Sequence, residues 1–341
     1  MVKSTERRQT IYDLSQKLGI GVSTVSAVLN GTWVKRRISP ATAELIFDRA
    51  RQLNYVPNHH AKVLSKGSSG LVGLLIPNFD ARLFAAVANA FELQVRGRNK
   101  FPIVISAGRE PQREVETAEV LISYAIEGLI ICGASDPDAI HKVCLKHNIP
   151  HVNIDLPGKK ASSIISDNVR AGYCLAEAIV KSTRGHGRVA DDIVYVGGLK
   201  NKASDDRIKG FESALDDAGV KSKSDRIHLI GYDVVKGREL FQKLFDKTGK
   251  LPGSIFIDGP PNYEALLGFL SQSRYPDFRN MVVGCFDLTS VASYSVLETW
   301  VIRQDAAAMV EQAVEYLYSS PAPAPVLTQV APSLIPPARL G

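Results

Sequence analysis

From residue 71 onward, short apolar runs alternate with longer amphipathic stretches, and this rhythm leaves few folds open. The runs are LVGLLIP (71–77), FPIVISA (101–107), GLIICG (128–133), PHVNID (150–155), DIVYVGG (192–198), RIHLIG (226–231), GSIFIDG (253–259) and MVVGCFD (281–287). Each is followed by roughly 10 to 20 residues with helical periodicity. A strand covered by helices on both faces reads as a continuous apolar run, because neither set of alternate side chains meets water. Strand–helix repetition of this kind predicts parallel sheets with helices on both faces. Eight such runs are more than one six-stranded sheet comfortably holds, so two doubly wound subdomains with a cleft between them are expected. Ligands of such sheets bind beyond the carboxyl ends of the strands. Asn78, Asp155, Asp258 and Asp287 occupy such ends, and Asp80 and Tyr232 follow close behind.

Residues 10–54 obey a different pattern. Thr10 with Asp13 three positions on suits a helix-starting capping box. Ile11, Leu14 and Leu18 then recur at helical spacing, and Gly19 stands where a helix ends in the left-handed conformation. A second helix is expected from about Val22 to Asn30, with Val25, Val28 and Leu29 on its apolar side. Ser39-Pro40 announces a third, a cap followed by proline at the first helical position, with Leu45, Ile46, Ala50 and Leu53 facing inward. Two helices joined by a glycine-containing turn and closed by a third follow the helix-turn-helix plan. Pro57 breaks the third helix, residues 58–66 suit one or two helical turns, and Lys66-Gly67-Ser68-Ser69-Gly70 reads as a flexible linker.

The net charge of +6 on 341 residues is concentrated in this first module. Residues 1–66 hold eleven lysines and arginines against four acids, a net +7; the remainder holds thirty against thirty-one. A basic module on a neutral body points to a polyanionic partner. Among the basic residues, Lys35, Arg36 and Arg37 stand in succession just past the second helix. No apolar run is long enough for a transmembrane helix, and no apolar segment follows the N-terminal charges as in a secretory signal. Cys132, Cys144, Cys174 and Cys285 are far apart and show no CxxC pairing, which suits a reducing, cytoplasmic compartment.

Three other readings find less support. Gly19-Ile20-Gly21 begins like a dinucleotide-binding loop, but Thr24 stands where the third glycine belongs and a helix precedes it instead of a strand. Asp155 and Asp258 could pair as in a glycosidase. Yet there is no nucleophile elbow, Walker loop or HExxH motif, and none of the seven histidines forms a metal-like pair. No catalytic residue, metal or cofactor is therefore expected. A sugar-binding transport protein without a DNA function fits the core but not the basic module.

The stretches Thr10-Ile11-Tyr12-Asp13-Leu14-Ser15, Gly19, Ser23-Thr24-Val25-Ser26, Val28-Leu29-Asn30-Gly31, Ile38-Ser39-Pro40-Ala41-Thr42 and Leu53-Asn54-Tyr55-Val56-Pro57-Asn58 closely resemble the DNA-binding region of the lac/gal repressor (LacI-type) family of bacterial transcription regulators. The likeness continues, less densely, through Gly73–Pro77, Gly128–Ile131, Arg207–Phe211, Gly284–Asp287 and Arg303-Gln304-Asp305. It implies an all-α helix-turn-helix DNA-binding domain followed by a periplasmic-binding-protein-like α/β core of two doubly wound parallel-sheet subdomains. The expected division is 1–57 for the DNA-binding domain and 58–70 for a hinge helix and linker. Residues 71–168 with about 305–321 would form the core N-subdomain, and 169–304 with about 322–341 the C-subdomain.

The resemblance further implies a homodimer that binds inverted-repeat operator DNA and a small-molecule effector. The effector would be a sugar or glycoside acting as inducer, or alternatively a nucleobase-like or other corepressor. On the second helix, Val22, Ser23, Ser26 and Ala27 would face outward. Thr24 and Ser26 can bond phosphates, Ser23 suits donors or acceptors, and Val22 and Ala27 can pack on a thymine methyl. Thr10, Asn30, Lys35, Arg36 and Arg37 complete the expected DNA contacts. Leu64 matches the family's hinge leucine, a wedge into the minor groove, with Asn58 and Ala61 nearby. Arg207, in an R-x-x-G-F context, matches the family's effector arginine, Asp287 its C-subdomain aspartate, and Asp155 an acid at an N-subdomain strand end. Two departures stand out: Gly21 replaces the usual polar cap of the second helix, and residues 31–37 look longer than the family norm. Leu64→Ala is expected to weaken operator binding while leaving effector binding unchanged. Fluorescence anisotropy with labelled DNA, alongside ligand titration, checks both halves of that statement.

Overall fold

The computed structural model describes residues 9–55, 69–220, 224–272, 280–287, 290–319 and 324–337; Asn58, Ala61 and Leu64 lie outside these. The chain divides into two compact units, residues 1–69 and 70–341.

In the first unit, α1 (Ile11–Leu18), α2 (Val22–Leu29) and α3 (Pro40–Gln52) pack around Leu14, Val25, Val28, Ala43, Ile46 and Ala50. Thr10 and Asp13 form the expected capping box, and Ser39 caps α3 ahead of its proline. Gly19 takes φ 65° and donates its N–H to the carbonyl of Gln16, while Ile20 reaches back to Ser15. That paired reversal ends α1 sharply enough for α2 to start at Val22. Leu45 departs from expectation and is 53% exposed. The inward face of α3 runs through Ala43, Ile46 and Ala50, spaced by three and four, and Leu45 falls off that stripe.

The second unit contains two six-stranded sheets. The first consists of β1 (Leu71–Ile76), β2 (Phe101–Ser106), β3 (Leu129–Cys132), β4 (His151–Ile154), β5 (Ser163–Ser166) and β11 (Leu327–Val330), in the order β2-β1-β3-β4-β5-β11, all parallel. The second consists of β6 (Val194–Val196), β7 (Ile227–His228), β8 (Ser254–Ile257), β9 (Val282–Phe286), β10 (Glu298–Arg303) and β12 (Ser333–Ile335), in the order β7-β6-β8-β9-β10-β12. Only the outermost pairing described in this sheet, β10 with β12, is antiparallel.

Helices cover both faces of each sheet. On the first, α4 (Arg82–Gly97) and α11 (Ala306–Tyr318) pack against Leu74, Ile76, Ile130 and Cys132, while α5 (Pro111–Ser123) and α6 (Pro137–Lys146) pack against Leu75, Leu129 and Ile131. On the second, α7 (Asn168–Gly185) and α8 (Lys202–Asp217) take Tyr195, Phe256 and Phe286, and α9 (Val234–Thr248) and α10 (Pro260–Gln272) take Val196, Ile257 and Cys285. Consecutive strand residues thus bury on opposite faces, which explains the unbroken apolar runs.

The chain passes between the sheets three times: after β5 into α7, after β10 into α11, and between β11 and β12. This corrects the expected division at the C-terminus. Residues 327–330, expected in the C-subdomain, pair with β5 in the first sheet, and the return to the second sheet comes only at 333. The open edge of β5 takes them first, and its ladder satisfies four residues of otherwise unpaired backbone.

Two glycines set how α8 lies on α7. A Cβ on Gly210 would sit 2.0 Å from the carbonyl oxygen of Val169, and one on Gly172 would sit 2.2 Å from that of Arg207. The helices therefore meet backbone to backbone, and the contact fixes the position of Arg207 itself. Gly210→Ala is expected to lower stability by about 1–3 kcal/mol or more through overpacking. A lowered thermal midpoint accompanied by weaker effector binding is the expected outcome, since α8 must lift and carry Arg207 with it.

Candidate functional site

The helix-turn-helix unit presents a small-residue surface. Along α2, Ser23 is exposed and Val22, Thr24 and Ser26 are half-buried. Asn30 ends the helix and donates through Nδ2 to the Ser26 hydroxyl at 3.2 Å. Gly21 precedes the helix without any side-chain cap, so N–H groups of the first turn stay open to an anion. Ala27 does not face outward as expected; it is 4% exposed. The chain folds back after Gly31, φ 72°, and Thr32 gives both its N–H (2.9 Å) and its hydroxyl (3.2 Å) to the Ala27 carbonyl. Thr10 is also committed elsewhere: its hydroxyl donates to Asp13 Oδ2 at 2.8 Å as part of the cap.

The segment after α2 is a compact turn. Arg36, Arg37 and Ile38 bond back to Thr32, Val34 and Trp33, with Arg37 in the left-handed region at φ 54°. Trp33 packs on the unit's core, so Lys35, Arg36 and Arg37 are held exposed on a folded turn. An arginine in that conformation carries a steric cost that glycine would avoid.

In the core, Arg207 is the centre of the second candidate site. It lies on α8 and is 4% exposed. Its Nη1 donates to Asp258 Oδ1 at 2.9 Å, its Nε donates to Asn168 Oδ1 at 2.9 Å, and its guanidinium carbon stands 3.6 Å from the centre of the Phe286 ring. Asp258 follows β8 and is 1% exposed; its other oxygen accepts from Ser204 Oγ and Tyr232 Oη, each at 3.1 Å. Burial opposes the charge on Arg207, but Asp258, Tyr232, Asp287 and Tyr195 together outweigh it, and the group is held firmly protonated. Burial, reinforced by Asp258, pushes the Tyr232 phenol upward, so its proton stays in place to donate.

Asp155 follows β4 and Asp287 follows β9. Both take φ near +70°, at 72° and 71°, a conformation that non-glycine residues rarely hold. Strain of this kind clusters at ligand clamps, and here it recurs at matching strand ends in both halves of the core. Burial raises the pKa of Asp155, against the pull of Arg109 and Arg207. Burial likewise raises Asp287 to about 6, although Arg207 and the Gln304 amide favour its ionised form.

The structure thus brings Arg207, Asp258, Tyr232, Asp155 and Asp287 into one electrostatic neighbourhood, with two roles revised. Asp258 and the Tyr232 hydroxyl are both engaged in holding Arg207. Asn78 Oδ1 accepts from the Ala81 N–H at 3.0 Å and braces the turn before α4, and Asp80 is exposed; neither bonds to the cluster among the described residues. Reading the sequence missed Arg109, which follows β2, donates to the Gly133 carbonyl at 3.2 Å and faces Asp155. It also missed Asn168 and Gln304, polar residues at the inter-sheet crossings. Arg109 was open to discovery, because it too follows a strand end. A cavity of about 850 Å³, lined by Leu199, Leu229, Leu240, Lys200 and Lys236 among others, meets the cluster at Tyr232.

Among the described residues no group of three or more His, Cys, Asp or Glu side chains is placed to hold a metal, and no helix is long and apolar enough to cross a membrane. Residues 10–58 match the model of the bacterial regulatory proteins, lacI family, and residues 72–320 match a periplasmic binding protein domain. The chain is 37% identical over 195 residues to the ribitol operon repressor of Klebsiella aerogenes, covering 57% of this chain and 72% of that one. It is 27% identical over 284 residues to the sucrose operon repressor of Klebsiella pneumoniae, covering 82% and 83%. Among solved structures, the lac repressor dimer bound to operator and the anti-inducer ONPF superposes with a TM-score of 0.79 at 18% identity, covering 96% of this chain and 98% of that one. The chain belongs to the LacI family of bacterial regulatory proteins, with a periplasmic-binding-protein-like domain as its core.

Proposed function

We propose that this protein is a transcriptional repressor whose hold on operator DNA is set by a polyhydroxylated small molecule, a sugar or sugar alcohol, bound at the Arg207 cluster. One observation carries the effector class. A buried guanidinium fixed by Asp258 and Asn168 stands among Asp155 and Asp287, carboxylates delivered by the two sheets. Carboxylates accept from paired hydroxyls, a fixed guanidinium donates in return, and the Tyr232 ring offers a flat apolar face to a carbon skeleton. The names of the relatives, ribitol and sucrose operon repressors, and a solved regulator, CelR, in complex with cellobiose support the same class.

On the DNA side, Ser23, Val22, Thr24 and Ser26 are the proposed reading and positioning residues, with Asn30, Lys35, Arg36 and Arg37 on the backbone. Ala27 and Thr10 leave that set because one is buried and the other caps α1. Release follows by population shift: the effector must bind the operator-competent and operator-incompetent forms with different affinity. A homodimer is the proposed assembly. Support comes from β2, an edge strand that opens on the exposed Phe101 and is half-buried thereafter, and from Leu93 on α4; the two side chains are 54% and 75% exposed.

Arg207→Ala is expected to abolish the response to effector while operator binding and its steep salt dependence persist. A thermal-shift screen of mono- and disaccharides, sugar alcohols, glycosides and nucleobases identifies the probe. Stabilisation by nucleobases alone overturns the polyol reading.

Asp287 carries a cost that can be measured without any ligand. Its folded pKa of about 6 lies above the ordinary 3.8, so the folded state holds the proton more tightly than the unfolded chain. Stability therefore falls as pH rises from about 4 to about 6, and the loss persists above that range. Asp287→Asn should raise stability at pH 7.5 by about 1–3 kcal/mol, with the gain shrinking toward pH 4.5, while effector affinity drops. A gain independent of pH counts against an ionised, burial-strained Asp287.

A further inference from the structure

We propose that Gln304 is a positioning residue that ties the effector carboxylate Asp287 to the hinge of the core, so that occupancy of the site is felt where the two sheets join. The proposal rests on the effector reading above for its biological meaning, but its geometry stands independently. Gln304 lies in the crossing between β10 and α11 and is 7% exposed. Its Nε2 donates to both oxygens of Asp287, at 2.9 and 3.0 Å, and its Oε1 accepts from the Ser166 hydroxyl at 2.6 Å. Ser166 ends β5 in the first sheet, is 1% exposed, and precedes the first crossing into α7. One side chain therefore links the end of a second-sheet strand to the end of a first-sheet strand, from within a segment that joins the sheets.

The direction of every bond is determined. An ionised carboxylate only accepts, so the amide must turn its N–H₂ toward Asp287. The amide oxygen must then face Ser166, whose hydroxyl must donate. Hydrogen bonds in such a series polarise one another, so a change at the carboxylate alters the bond at Ser166. A ligand hydroxyl donating to Asp287 competes for the same lone pairs and weakens the amide contact. Occupancy would thus loosen the tie between the halves at the point where they pivot. The neighbouring crossing is linked in parallel, because Asn168, which begins α7, accepts from Arg207 Nε. The charged and titratable groups facing Asp287 are Arg207 from α8, Asp155 beyond β4, Asp258 beyond β8 and the buried Cys285 thiol of β9 itself.

The test is a set of double-mutant cycles on the free full-length protein, reading thermal midpoints from pH 4 to 8. Gln304→Leu should move the titration of Asp287 upward by about one pH unit, a tenfold change in proton affinity, because the ionised form loses its donor. Its pH-dependent loss of stability should vanish in an Asp287→Asn background. Ser166→Ala should shift the same titration in the same direction by a smaller amount. A pH-independent loss from Gln304→Leu that persists beside Asp287→Asn overturns the proposal, leaving Gln304 a packing residue. An unchanged titration in Ser166→Ala overturns the link to the hinge. Neither result depends on which molecule binds, so failure here is distinct from an effector screen that finds no polyol.

Discussion

A guanidinium taken out of water must be compensated on every side, and Arg207 makes that demand at the centre of the core. Its partners come from four places: Asp258 beyond β8, Asn168 at the start of α7, the Phe286 ring at the end of β9 and the Tyr232 hydroxyl at 3.5 Å. Such a pair is weak evidence for stability, because desolvating both charges offsets much of their attraction. Its value lies in orientation. With one edge of the guanidinium fixed, the direction of the rest is set before any ligand arrives, and the entropy of ordering it is already met in the fold. The glycine contact between α7 and α8 serves the same end, since only a backbone-to-backbone crossing seats Arg207 beside Asn168.

The two units answer two kinds of chemistry. The helical unit offers cations, short hydroxyl side chains and an uncapped helix start, which suit a phosphate backbone and a groove. The α/β unit offers buried acids and a buried base in near balance, which suit a neutral, hydrogen-bonding ligand. The crossings are where the second kind of binding becomes mechanical. Asn168 and Gln304 sit in them, and each is bonded to a residue of the effector cluster. Under the proposal above, a ligand that alters those bonds would act directly on the segments that join the two sheets.

Much of the architecture was legible because it is written in local periodicity. The eight apolar runs all became strands, since a buried parallel strand needs apolar side chains on both faces. Thr10 with Asp13, Ser39 with Pro40, and Gly19 signalled helix ends, because capping is a contact between residues three or four apart. The missed strands lacked those signals. β5 is SIIS, short and ended by serines, and β10 mixes charged and apolar residues at the edge of the buried region. β11 is mostly exposed, and nothing within LTQV indicates which sheet would accept it.

The division into a basic helical module and a strand–helix core can be read along the chain, which also marks Arg207, Asp155 and Asp287 by position and motif. What each of these residues is free to do is settled by folding. Asp258 and Asp287 look alike as strand-end acids, but one is consumed by Arg207, Ser204 and Tyr232 while the other is backed by Gln304 alone among the bonds described. Ala27 faces outward on an isolated helix, yet the chain after Gly31 returns to cover it. The reason is the same in both cases. Periodicity and capping depend on neighbours along the chain, whereas the availability of a side chain depends on partners tens or hundreds of residues away, which only folding brings within bonding distance.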